Sequence, residues 1–83
     1  MRITVRFFAI LKDRAGVGEA KIELPEGSTV SAAVESIAAR FAGVRSDLNR
    51  AAFAVNRNYA KPEQVLRDGD ELALIPPVSG GCE

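Results

Sequence analysis

Eighty-three residues, 47% of them apolar, amount to one domain that buries roughly 60–65% of its unfolded surface, which argues for a compact core and against a second domain or a deep private active site. Eleven Lys and Arg balance eleven Asp and Glu, so no overall field points to nucleic acid or a membrane surface, and the expected partner is another protein. No histidine and a single cysteine remove His–Cys metal sites, Ser–His or Cys–His catalysis and any internal disulfide; with neither a signal peptide nor an apolar run of transmembrane length, the expected location is the cytoplasm.

From Arg2 to Phe8 the chain alternates, with Ile3, Val5 and Phe7 on one face, which predicts a half-buried strand. Phe8 stands among the polar residues, either as an exposed aromatic or as the transition into the next loop. Residues 12–19 carry two glycines and four charges and read as the loop of a long hairpin. Gly16 and Gly18 do not make a phosphate cradle, because no helix start follows them. Alternation resumes at Ala20, Ile22 and Leu24 and stops at the turn Pro25-Glu26-Gly27.

Thr29 precedes Val30, Ala33, Val34, Ile37, Ala38 and Phe41, an i, i+3, i+4, i+7, i+8, i+11 stripe that predicts the main helix. Arg40 complements the dipole in its last turn, and Gly43 is expected to end it as a left-handed cap. Val44 to Arg50 reads as polar and irregular. Ala52 to Asn56 reads as a third strand, Asn56-Arg57-Asn58 as a bend, and Tyr59 to Lys61 as a short fourth strand. Pro62 to Leu66 is expected to make one helical turn, and Arg67-Asp68-Gly69-Asp70 a tight turn. In the last strand, Glu71 to Ile75, Leu72 and Leu74 point inward and leave Ile75 as a second apolar residue on a face that should be polar. The order predicts a mixed sheet of four to five strands over one main helix, an α+β class, without giving the strand order.

Beyond Ile75 the chain reads Pro76-Pro77-Val78-Ser79-Gly80-Gly81-Cys82-Glu83. Two prolines stiffen the exit from the sheet, and two glycines offer bare backbone that a narrow channel can enclose. We expect a domain over residues 1–77 and a flexible tail over 78–83.

Val5-Arg6-Phe7-Phe8-Ala9, Leu24-Pro25-Glu26-Gly27-Ser28-Thr29-Val30, Ala54-Val55-Asn56, and Asp68-Gly69-Asp70-Glu71-Leu72-Ala73 leading into the diproline and diglycine resemble the family of molybdopterin synthase small subunits, within the ubiquitin-like sulfur carriers that include the thiamine-pathway carrier. The resemblance covers essentially the whole chain, and the diproline before the diglycine is its most specific part. It implies a ubiquitin-like β-grasp fold with first and last strands adjacent and parallel in mid-sheet. It also implies that an adenylating enzyme like the ubiquitin-activating enzymes, using ATP and a sulfur donor, converts Gly81 to a thiocarboxylate. That tail would then enter the synthase large subunit and give its sulfur to a precursor pterin. On this resemblance the carrier binds no cofactor or metal itself. Gly81 is the reacting glycine, Gly80, Ser79 and Val78 line the channel, and Phe8, Tyr59 and Ile75 form an exposed docking patch.

The family pattern stops at the second glycine, whereas here Cys82 and Glu83 follow. Some sulfur carriers with such an extension are trimmed by a zinc metallopeptidase, and several serve pathways other than molybdopterin, such as thiamine or cysteine. Cys82 is open to three readings: a discarded terminal thiol, a sulfur-handling or redox group, and the acceptor of an acyl shift from Gly81. The function classes to separate are a sulfur carrier, a ubiquitin-like modifier that forms isopeptide bonds, and a non-covalent interaction domain.

Overall fold

The computed structural model describes residues 1–76, so the tail read at residues 78–83 lies outside the described residues. Five strands, β1 Arg2–Phe7, β2 Glu19–Glu23, β3 Ala52–Val55, β4 Asn58–Ala60 and β5 Glu71–Ile75, form one sheet in the order β2-β1-β5-β3-β4. β1 pairs antiparallel with β2 and parallel with β5, and β5 pairs antiparallel with β3. The last strand is therefore central, as the resemblance implies.

Register explains the core. Val5 lies opposite Leu72, Phe7 opposite Leu74, and Val55 opposite Leu72 from the other side, so these side chains share one face with Ile3 and Ile22. The main helix, α2 (Val30–Arg40), lays its buried residues Val30, Ala33 and Ile37 into the same core cluster. Each buried Val, Leu, Ile or Phe side chain of this cluster contributes about 1.5–3 kcal/mol relative to exposure. Thr29 caps α2 as expected, its Oγ1 accepting from the Ala32 amide at 3.2 Å.

The connections depart from the sequence reading at four places. The stretch read as a hairpin loop contains a short helix, α1 (Ile10–Ala15), which buries Leu11 and is closed by Gly16 at φ 83. Only Leu11 and Ala15 face the core from it, too few positions to show a period. The stretch read as irregular after Phe41 is a 3-10 turn, Ala42–Val44, followed by α3 (Arg45–Leu48), with Val44 and Leu48 buried one turn apart. Pro62 to Leu66 is not a helical turn. Its carbonyls are already committed: Pro62 O accepts from the Ser31 amide at 2.8 Å and Gln64 O from the Val30 amide at 2.9 Å, satisfying two first-turn N–H groups of α2.

Gly43, finally, is not a left-handed cap, because α2 ends at Phe41 and Gly43 sits inside the 3-10 turn. It is needed for space: a Cβ there would lie 2.6 Å from the Arg14 carbonyl oxygen at the end of α1. Gly43→Ala is expected to destabilise the fold by about 1–3 kcal/mol in denaturant unfolding, through forced separation of α1 from the turn. An unchanged midpoint would mean that α1 moves aside freely.

The Asp68-Gly69-Asp70 turn ties the sheet together beyond its strands. The Arg2 amide donates to Asp68 Oδ1 at 2.8 Å, the Gly69 amide to Arg2 O at 2.8 Å and the Thr4 amide to Asp70 O at 2.9 Å. Asp70 also receives Asn56 Nδ2 on Oδ1 at 2.9 Å and the Arg67 amide on Oδ2 at 2.8 Å. One acidic turn thus fixes the start of β1 and the β3–β4 bend against the entry to β5.

Candidate functional site

The same register that builds the core assigns the opposite face. Arg2 faces Glu23 and Thr4 faces Lys21 across β1–β2, while Thr4 and Arg6 lie beside Glu71 and Ala73 on β5. Farther across, Ala73 lies opposite Ala54, Ile75 opposite Ala52, and Ala54 opposite Tyr59. The open face is accordingly charged over β2 and β1 and apolar over the C-terminal half of β5, β3 and β4.

On the charged side the two arginines of β1 are paired. Arg2 Nη2 pairs with Glu23 Oε2 at 2.8 Å, and the hydrogen bond and charge of Arg2 hold the Glu23 carboxyl below its ordinary range. Arg6 Nη1 pairs with Glu71 Oε2 at 3.1 Å. A concavity of about 510 Å³ lies between Met1, Arg2, Thr4, Lys21, Glu23, Asp68 and Gly69 and is bounded by these polar groups.

On the apolar side Phe8, Tyr59 and Ile75, separated by up to 67 positions in sequence, line one shallow concavity of about 480 Å³ with Ala54, Ala73 and Arg57. Tyr59 is 81% exposed and Phe8 42%, while Ile75 is half-buried. Phe8 lies just past the end of β1, beneath the Arg6 guanidinium at 5.9 Å from the ring centroid. The next residue, Ala9, has φ 52 and ψ -128, a conformation in which a residue with a Cβ is strained, and this kink turns the chain from Phe8 into α1. Two alternations in the sequence anticipated Phe8 and Ile75. Ala54 and Ala73 followed from the same alternation but are too small to stand out.

Arg57 is the lining residue that sequence reading passed over. It occupies the two-residue turn between β3 and β4, where Asn56 and Arg57 both adopt positive φ, 51 and 73, and Val55 pairs with Asn58. This is the backbone of a type I′ hairpin, and its sequence signal was an Asn at the first central position.

Among the described residues no group of three or more His, Cys, Asp or Glu side chains converges to hold a metal ion. The remaining candidates, Val78, Ser79, Gly80, Gly81, Cys82 and Glu83, lie outside the described residues. The described face can cover and be covered; it carries no constellation for bond-making. Pro76, directly after β5, connects it to the diglycine segment.

Residues 5–81 match the ThiS family. The molybdopterin synthase sulfur carrier subunit of Chlamydomonas reinhardtii is 39% identical over 83 residues, covering 98% of this chain and all of that protein. Among solved structures, SAMP1 from Haloferax volcanii superposes with a TM-score of 0.90 at 26% identity, covering 98% of this chain and 100% of the other. A chain in the complex of subunits 1 and 2 of molybdopterin-converting factor from Helicobacter pylori superposes with a TM-score of 0.70 at 27% identity, covering 98% and 100%.

Proposed function

We propose a function from the premise that the chain belongs to the ThiS family: it is a sulfur carrier that acts as the small subunit of a molybdopterin synthase. The observation that carries this reading is the match to a molybdopterin synthase sulfur carrier subunit over 98% of the chain. The fold supplies a physical rationale. A carboxylate is a poor electrophile until it is converted to a mixed anhydride, and among the described residues no cluster that could hold a metal ion is present to assist this step. The chemistry therefore falls to partners, and the carrier supplies a docking face next to a strand that leads into the reacting arm.

In this reading an adenylating enzyme uses ATP to convert the Gly81 carboxylate to an acyl-adenylate with release of pyrophosphate. A sulfur donor then displaces AMP to leave a thiocarboxylate, and the arm, through Val78, Ser79 and Gly80, enters the synthase large subunit. The Helicobacter pylori complex of subunits 1 and 2 supports the large subunit as partner. Phe8, Tyr59 and Ile75 form the docking patch, and a peptidase removes Cys82-Glu83 beforehand. We place the protein in the cytoplasm, with its activating enzyme.

The intact mass of the chain ending at Gly81, incubated with ATP, the activating enzyme and a sulfur donor, should rise by roughly 16 Da, the oxygen-to-sulfur difference that follows when one nucleophile replaces another at an activated carbonyl. A second reading, isopeptide attachment to target lysines, is favoured by the TM-score of 0.90 against SAMP1, a name that stands for small archaeal modifier protein 1. High-mass conjugates without the small mass increase would select that reading and remove the first.

A further inference from the structure

We propose that Arg57 is a specificity residue of the docking face, and that the large subunit which covers the apolar patch presents an acidic side chain to it. The inference rests on the docking reading above and adds the chemistry of its rim.

Position is the first observation. Together with Phe8 and Ala73, Arg57 borders both the apolar concavity and an adjoining one of about 250 Å³ that continues past Arg6 and Glu71. Whatever fills the patch must come up against this side chain.

Charge is the second. Arg2 and Arg6, the other arginines of this sheet face, are neutralised by Glu23 and Glu71, whereas Arg57 has neither an ion pair nor a side-chain hydrogen bond among the described residues. A guanidinium at the edge of a surface being covered loses water, and that loss is offset when the incoming protein supplies an acceptor. A carboxylate matches its planar fork with two parallel hydrogen bonds.

Backbone conformation is the third. Arg57 sits at φ 73 in the second central position of a type I′ turn, where glycine is the residue of least strain. The side chain thus works against the hairpin that displays it, which separates a structural role from a docking role by sign.

Arg57→Gly should raise the thermal midpoint by roughly 5 °C, yet weaken binding to the cognate synthase large subunit about tenfold, which is ~1.4 kcal/mol. Arg57→Glu should weaken it further. Raising ionic strength from about 0.05 to about 0.5 M should slow association of the wild-type chain and leave that of Arg57→Gly nearly unchanged. Tyr59→Ala is measured alongside. If Tyr59→Ala weakens binding while both Arg57 variants bind like the wild type, the inference is overturned and the docking reading stands. If all three variants bind like the wild type, the docking reading falls and the inference with it.

Discussion

A chain ending at Gly81 should support ATP–pyrophosphate exchange with the activating enzyme, whereas the chain that carries Cys82 and Glu83 should give more than about 100-fold less until it is cut after Gly81. In the longer chain the Gly81 carbonyl is part of a peptide bond to Cys82 and has no anionic oxygen with which to attack ATP. A carboxylate at Glu83 lies two residues farther on, roughly 7 Å when extended. In-line attack tolerates misplacement of a fraction of an ångström, and about 1 Å already costs about 100-fold. On the proposed reading the dipeptide is a removable cap, and adding a peptidase that cleaves after Gly81 should restore exchange. Equal exchange by the two chains would mean that the activating site accepts the extension or charges Glu83 itself, and the cap would have to be abandoned.

Tyr59→Ala and Phe8→Ala are each expected to lower affinity for the large subunit by about 2 kcal/mol or more, close to 30-fold, in calorimetric titration. Tyr59 is the cleaner test because it is so exposed that its removal leaves the core untouched, and the thermal midpoint should hardly move. Phe8 also loses its contact with Arg6, so its variant is interpreted only alongside its unfolding midpoint. Unchanged affinity for both would make the concavity a feature of the sheet edge and nothing more.

The strands were legible because alternation is a local signal. Leu72 and Leu74 had to face one way and Ile75 the other whatever the neighbours were. What joined Phe8, Tyr59 and Ile75 into one surface was not local: it depended on β5 entering between β1 and β3, an order that no window of residues contains. The two short helices escaped for a different reason. α1 and α3 bury Leu11 and Leu48, each within a helix of at most six residues, too short for the 3.6-residue period to be distinguished from chance. Pro62 to Leu66 was misjudged because local propensity allowed a turn of helix, while α2 needed those carbonyls as acceptors for its own first turn. Arg57 read only as the middle of the Asn56-Arg57-Asn58 bend until the sheet put it on the rim of the apolar face.

β5 is held by hydrogen-bonded ladders on both sides, so it cannot be peeled away to lengthen the segment that follows it without opening the centre of the sheet. The contour available to a partner is thereby fixed. It starts at Pro76, and six residues from there through Gly81 span at most about 20 Å. Ile75 belongs at once to the anchored strand and to the exposed face, so on the proposed reading one yardstick joins the docking surface to the reacting Gly81. Any protein that grips this face and uses the arm must bury its reactive centre within about 20 Å of Ile75. Two enzymes that act on it in turn, however unrelated their folds, must share that depth.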